Sequence, residues 1–338
     1  MSWITLILGF AFGALLQVAR LNRFNTISGL AMRENYTVAK AIAVSIGVGI
    51  IVIALEVGLG MATFHVKPFL VVGIVVGGLL FGSGMAILGY CPGTLPVSLG
   101  EGSLDALFGI VGGIVGGVVF TIVQPSAAYL LGPNLGSMSF LSMAGIGSFG
   151  YYTIAIVVGA VFIIIAFLLQ GKVRTVDYKW LIAGSGLAIL NAIVFLPSVA
   201  NRIIGASTAY PYAGDMITSS TGNTYFSAIE TPGRWELLFL TGAFLSGLVI
   251  SLLRKEFKLQ LMHSNWTRFK GESSAKRMVW ASVGGFVLII GARMAGGCTS
   301  GHILSGGMQL AISSLVFTVF VFSGLLLTGW LFYRKSSR

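Results

Sequence analysis

Charge is what this chain has least of. Asp, Glu, Lys and Arg make up 9% of its 338 residues, with only 10 Asp and Glu, while 56% are hydrophobic. A mean hydropathy of +0.93 over this length excludes a soluble globular domain and leaves a polytopic membrane protein. The net charge of +11 does not point to nucleic acid, because the basic residues fall in short segments between apolar runs. Cysteine is scarce too. Cys91 and Cys298 are the only two, which excludes a disulfide framework. With one nearby histidine, they are also too few ligands for a structural metal site. No phosphate-binding loop, catalytic triad or haem motif is present, which argues against an enzyme and against a cofactor. Residues 1–19 lack a basic n-region and a convincing cleavage site, so they read as a first span and not as a signal peptide.

Glycine, by contrast, is abundant, at 47 residues, and it carries a pattern. The stretch Gly77 to Gly100 recurs as Gly284 to Gly307, and the two align without a gap. Identities fall at Gly77/Gly284, Gly78/Gly285, Gly84/Gly291, Gly89/Gly296, Cys91/Cys298, Ser98/Ser305 and Gly100/Gly307. Glycines match easily by chance; the only two cysteines of a chain do not. The pattern therefore reads as a two-fold internal repeat. In each copy an apolar helical run ends at a Gly-X-Cys or Gly-Gly-Cys turn, followed by a short polar segment and another apolar run. Irregular backbone of this kind is tolerated in a membrane only where protein or a water-filled cavity satisfies it. A matched pair of such breaks is the best sequence pointer to a transport site.

Apolar runs of spanning length fall at roughly 2–19, 40–62, 69–89, 104–124, 150–170, 180–198, 235–253, 278–296 and 310–333, about nine in all. The fold class is therefore an all-α polytopic membrane protein with an inverted internal repeat and two broken, re-entrant Gly-Cys segments. Its halves are residues 1–132 and 150–338, joined by an outer connection at 133–149. With the N-terminus outside, the inner segments hold Arg20, Arg23, Arg33 and Lys40, then Lys172, Arg174 and Lys179, then the basic run from Arg254 to Arg277, then Arg334, Lys335 and Arg338. Only Lys67, Arg202 and Arg234 fall outside, and Arg293 lies within a span. This bias places the N-terminus outside and the C-terminus in the cytoplasm of an inner (plasma) membrane. It also makes the repeat inverted, the arrangement that builds a site near the midplane.

Three connecting stretches stand out. Residues 20–34 are too polar for lipid and too apolar for a free loop, which suggests a half-inserted segment; Asn22-Arg23 has a loose echo in Asn201-Arg202. Residues 199–233 read as a lid over the outer mouth or as a solvated loop, with the loop favoured. The basic stretch 254–277 sets topology and offers a surface for an acidic cytosolic partner. Gly73/Gly77, Gly78/Gly82, Gly109/Gly113 and Gly113/Gly117 are spaced for close helix packing.

Cys91 and Cys298 lead the candidates for chemistry. A thiol is a weak donor and acceptor on a polarizable atom, suited to a soft sulfur ligand. Their bland reading is a pair of small buried hydrophobes, and a third is a disulfide between the halves. Arg293 is a permanent cation in a span, by default a functional mark. It sits about one and a half turns before Cys298, and the other repeat has Ala86 there. An unpaired cation beside a cavity favours an anionic substrate; the alternative is pairing with helix-end carbonyls or the interface. Thr94, Ser98, Thr299, Ser300, His302 and Ser305 supply donors after the cysteines. Gly89, Gly93, Gly296, Gly297 and Gly301 are the helix-break glycines. His302 is a candidate gate or relay, and equally an interfacial histidine.

The motifs Gly89-Tyr90-Cys91-Pro92-Gly93-Thr94 and Gly291-Ala292-Arg293-Met294-Ala295-Gly296-Gly297-Cys298-Thr299-Ser300-Gly301-His302 resemble the YeeE/YedE family of bacterial sulfur-transport membrane proteins. The resemblance covers most of the chain. It implies uptake of thiosulfate through an hourglass-shaped protein with cysteines along the path. It also implies a small cysteine-bearing sulfur-carrier protein as cytosolic partner, at the inner basic loops. Family members commonly carry a further cysteine after an Arg-Phe pair in the first polar segment; here Arg23-Phe24 is followed by Asn25. Asn25 can donate a hydrogen bond to an anion but cannot exchange sulfur. The expectation is a transporter, in contact with membrane lipid, for a small sulfur-containing anion such as thiosulfate. Transport of another sulfur or selenium species and membrane thiol or persulfide transfer are the alternatives.

Overall fold

The computed structural model describes residues 2–143, 147–171 and 177–334. The first helices are α1 (Ser2–Val18), α2 (Phe24–Ala31), α3 (Thr37–Gly58), α4 (Val71–Leu88), α5 (Thr94–Gly100), α6 (Leu104–Ala127) and α7 (Phe140–Met143). Then come α8 (Ser148–Gln170), α9 (Lys179–Phe195), α10 (Ala209–Ile217), α11 (Thr224–Leu253), α12 (Ser264–Lys270), α13 (Ser274–Met294) and α14 (Ile312–Phe332), with a π-helical segment at Thr299–Gly306. Lys172, Arg174, Lys335 and Arg338, which the charge pattern puts on the inner side, lie outside the described residues.

Each apolar run is helical, and seven helices among the described residues are long and apolar enough to cross a membrane: α3, α4, α6 with the turn after it, α8, α11, α13 and α14. The protein is thus a multi-pass helical membrane protein. The runs expected as the first and sixth spans form α1 and α9, of 17 residues each. At 1.5 Å per residue each is about 26 Å long, slightly under a ~30 Å hydrocarbon core. Both stop early for local reasons. Past α1, Arg20 takes a positive φ of 54°. Past α9, Leu196 precedes Pro197 and is extended, with ψ 131°, as residues before proline are.

Four short elements fill the space between the long ones: α2, α5, α10 and the π segment. Each is largely buried. This corrects the reading of 199–233 as a solvated loop. Ser207, Thr208, Tyr210 and Asp215 are buried, and α11 begins at Thr224, capped by Asn223, whose side chain accepts from Phe226 N.

Helix α4 packs on α13 and α14, α13 also on α6, α1 on α11, and α3 on α8 and α9. Between lipid-bathed helices there is no hydrophobic drive to associate, so contact has to come from close backbone approach over small residues. The α4–α13 crossing is built that way. A Cβ on Gly84 would lie 2.8 Å from the Gly284 carbonyl oxygen, and one on Gly77 would lie 2.7 Å from that of Gly291. Gly78 and Gly82 meet Phe320 and Val321 of α14, while Gly113 and Gly117 receive Tyr210 and Pro211 of α10.

At the end of the bundle that holds Arg20, Arg23 and Lys258, here the basic end, a buried ionic knot ties α4, α6, α13 and the segment before α12. Arg277 and Asp105, both fully buried, meet at 2.5 Å between Nη2 and Oδ2. The same Nη2 donates to the Leu88 carbonyl at 2.7 Å, capping α4. His263 Nε2 is 3.1 Å from Asp105 Oδ1, and Tyr90, next to Cys91, donates to Asp105 at 3.2 Å. The Arg277 guanidinium lies over Phe24, whose ring is where a Cβ on Gly89 would be.

Two outcomes follow. Gly291→Ala, whose Cβ would lie 2.4 Å from Phe81 N, should cost about 1–3 kcal/mol and lower the melting temperature in detergent. Gly222→Ala, with nothing within 4 Å, should leave it unchanged. Arg277→Met strands a buried carboxylate and should cost about 3–5 kcal/mol, seen as a larger fall in melting temperature and in membrane yield.

Candidate functional site

Both sequence breaks converge on one narrow cavity of about 70 Å³, here the neck, where Cys91, Gly93 and Thr94 face Thr299, Ser300 and Met85. Helix α4 ends in Gly89, at φ 79°, and α13 is followed by Gly296 at φ 73°. These repeat-related glycines are the two break positions that require the left-handed region. Gly93, Gly297 and Gly301 do not; Gly93 has φ −77°. They serve close approach instead. A Cβ on Gly93 would press on Phe12, and Cβ atoms on Gly297 and Gly301 would meet the Lys67 side chain.

Cys91 is partly accessible and Cys298 buried, and both are free thiols. The Cys91 thiol is within hydrogen-bond reach of Thr94 and Thr299. Cys298 Sγ lies 3.1 Å from Ser300 Oγ. Thr94 caps the first break, accepting from Cys91 N at 2.9 Å and donating to Cys91 O at 3.0 Å. Tyr210 donates to the Pro92 carbonyl at 2.8 Å. Ser98 and Ser305, matched in the repeat, are braces and not free donors. Ser98 donates to Asn22 O at 2.5 Å; Ser305 donates to Asn191 Oδ1 at 3.0 Å and accepts from Ile204 N.

His302 is also structural. Its Nε2 lies 2.8 Å from the Ala295 carbonyl, which only accepts, so Nε2 carries the proton. Its Nδ1 accepts from Ser314 at 2.9 Å. Both ring nitrogens are used, the state of a neutral imidazole. Neither a gate nor a relay is needed to explain it.

Above the neck, at the end opposite the basic one, Arg293 is buried and bound by hydroxyls. Its Nε donates to Tyr225 at 2.7 Å, and Nη1 to Thr208 at 3.0 Å and Ser207 at 3.4 Å. Among the described residues it hydrogen-bonds no carbonyl. Lys67, Arg202 and Glu236 lie within electrostatic reach of one another there, with Arg202 3.8 Å from Glu236. Charge counting along the sequence placed Lys67 and Arg202 merely outside. Glu236, one of few acids within a long apolar helix, was the signal that would have found this group.

Asn25 is not at the neck. It is exposed at the basic end, in a polar cavity of about 310 Å³ with Arg23, Glu101, Glu256 and Lys258. Its Oδ1 accepts from Asn265 N at 3.1 Å, tying α2 to α12. Here cations are paired: Arg23 lies 2.6 Å from Glu256 and 3.6 Å from Glu101. Burial slightly opposes the Glu256 charge, but the Arg23 bond holds its carboxyl below the usual range.

Comparison with known proteins adds two findings. A family model described as "Sulphur transport" matches residues 19–327. The thiosulfate transporter TsuA of Spirochaeta thermophila is 27% identical over 358 aligned positions, covering 99% of this chain and 100% of that protein.

The break geometry makes a graded forecast. Gly296→Ala meets no atoms and should cost about 1–2 kcal/mol for the left-handed backbone alone. Gly89→Ala, driven against Phe24 as well, should be the more damaging in melting temperature.

Proposed function

The chain belongs to the sulphur transport family, and from that membership and the geometry of the neck we propose that it carries thiosulfate inward across the inner membrane. The observation that carries the reading is the convergence of both repeat-related cysteine breaks on one cavity. The cavity of about 70 Å³ is lined mostly by apolar side chains, among them Phe12, Leu16, Ile27 and Phe322, which hold no hydration shell in place. The anion must shed its water, and the wall must replace it. The Cys91 thiol and the hydroxyls of Thr94, Thr299 and Ser300 line the cavity and do this with weak contacts that let go again, with Cys298 buried behind Ser300. Soft sulfur facing the terminal sulfur of thiosulfate favours that anion over hard oxyanions. Arg293 offsets its charge on the way in, and Arg23, Asn25 and Lys258 line the way out. Cys298 meets the Ser300 hydroxyl, and among the described residues no histidine or carboxylate hydrogen-bonds either thiol, which favours passage over covalent sulfur transfer.

Two halves with six matching elements each, 1–132 and 150–338, joined by 133–149, surround the neck in this reading, inverted to one another, with α8 and α12 additional. In their support, α1 to α6 correspond in order to α9, α10, α11, α13, the π segment and α14. Contacts correspond as well: α1 with α11 mirrors α9 with α3, and α4 with α14 mirrors α13 with α6. Gly77 faces Gly291 and Gly84 faces Gly284, the cross-pairing a two-fold axis produces. The N-terminus lies outside and the C-terminus in the cytoplasm, where the basic end receives a sulfur-carrier protein.

In a host lacking its own sulfate and thiosulfate uptake, the wild type should support growth on thiosulfate. Cys91→Ala and Cys298→Ala should each reduce uptake at equal membrane expression, and Cys91→Ser should retain more than Cys91→Ala. Full uptake by both alanine variants would remove the cysteines from the path.

A further inference from the structure

Lys67 comes from the connection between α3 and α4, and its backbone is pinned on both sides. Ser313 donates to the Lys67 carbonyl at 3.0 Å, His65 N donates to Gln309 Oε1 at 2.6 Å, and Phe69 N donates to Gly136 O at 2.9 Å. Only the side chain is left to move. It reaches down past Gly297 and Gly301, where a Cβ would come within 2.8 Å of Nζ and 3.3 Å of Cε respectively. The ammonium donates to the carbonyl of Gly296, the left-handed residue of the second break. An ammonium has three donors, and among the described residues Gly296 is the one acceptor it meets.

The charges around it do not balance. Lys67, Arg202 and Arg293 share this mouth with one carboxylate, Glu236. That carboxylate is already committed, accepting from Thr208 N at 2.6 Å and facing Arg202. Arg293 is held by hydroxyls, which orient it without neutralising it, and its Nη2 has no partner among the described residues. Two cations beside Cys298 thus stand without an acid of their own. In a low-dielectric setting that is costly unless an anion completes the group. At the basic end the comparable Arg23 has two carboxylates.

We propose that Lys67 and Arg293 form a receiving site for a doubly charged sulfur anion directly above Cys298, in which Lys67 is the valence-selecting residue. Its ammonium exchanges the Gly296 carbonyl for the incoming anion, so a dianion, which engages both cations, displaces it more readily than a monoanion does. The inference rests on the transport reading above and adds to it the residue that reads charge. Lys suits the task because it is a point charge on a flexible stem, whereas Arg293 is clamped.

The test measures uptake by the full-length protein in proteoliposomes with two probes that share a terminal sulfur, thiosulfate (2−) and methanethiosulfonate (CH₃SO₂S⁻, 1−). Lys67→Met should raise KM for thiosulfate roughly ten- to hundredfold, the loss of one hydrogen bond to a charged group. KM for the monoanion should move by less than about threefold, and Lys67→Arg should recover part of the preference. Lys67→Gln replaces the Met variant if that protein is not monodisperse. Equal loss for both probes, or no change for either, would overturn the role of Lys67. Wild-type protein that carries neither probe would instead overturn the transport reading itself.

Discussion

A helix that ends inside the protein frees carbonyls and amides that need partners there, and this structure is arranged around meeting that demand twice. At the first break, Arg277 caps the Leu88 carbonyl, Tyr210 takes Pro92, and Thr94 serves both backbone groups of Cys91. At the second, His302 takes Ala295 and Lys67 takes Gly296. The problem is the same in both places and the solutions share no residue type. The first break is capped from the basic end by a guanidinium whose charge Asp105 cancels. The second is capped partly by an ammonium that has no carboxylate of its own among the described residues. That difference in capping leaves the surroundings of the two breaks electrostatically unlike.

The same difference sorts the titratable residues. Those with complete partner sets, His302 between Ser314 and Ala295, Asp105 among Arg277, His263 and Tyr90, hold the frame. Those with incomplete sets among the described residues, Lys67 and Arg293, stand at the end opposite the basic one. Hydroxyls divide likewise. Ser98 and Ser305 are spent on bracing α5 and the π segment to the irregular stretches that follow α1 and α9. Thr299 and Ser300 remain on the neck.

Much of this was legible in the chain. Nine apolar runs marked nine helices, the scarcity of cysteine singled out Cys91 and Cys298, and gapless alignment located both breaks. Glycines four apart did mark close crossings. What pattern reading missed has a physical cause. Residues 199–233 looked like a loop because hydroxyls, Tyr210 and Asp215 lower the hydropathy of a segment that is nonetheless buried against other protein, where polar side chains find partners instead of lipid. Lys67 looked like an exterior charge because sequence shows on which side a residue enters but not how far its side chain reaches inward. Asn25 stood out because it takes the place of a family cysteine; its side chain binds α12 and lines the polar cavity at the basic end, away from the neck. Two of five break glycines are explained by φ, and the others by what lies beside them, which no local pattern encodes.

The crossing of α4 and α13 has one more implication. Gly77 abuts Gly291, and Gly84 abuts Gly284, so the room available to each helix is set by the other helix's backbone. Elsewhere in a protein, a side chain that grows can be accommodated by a neighbour that shrinks. Here the neighbour is already the smallest residue that exists. No compensating change is open to either partner, so a side chain added at any of these four positions is relieved only by moving a whole helix.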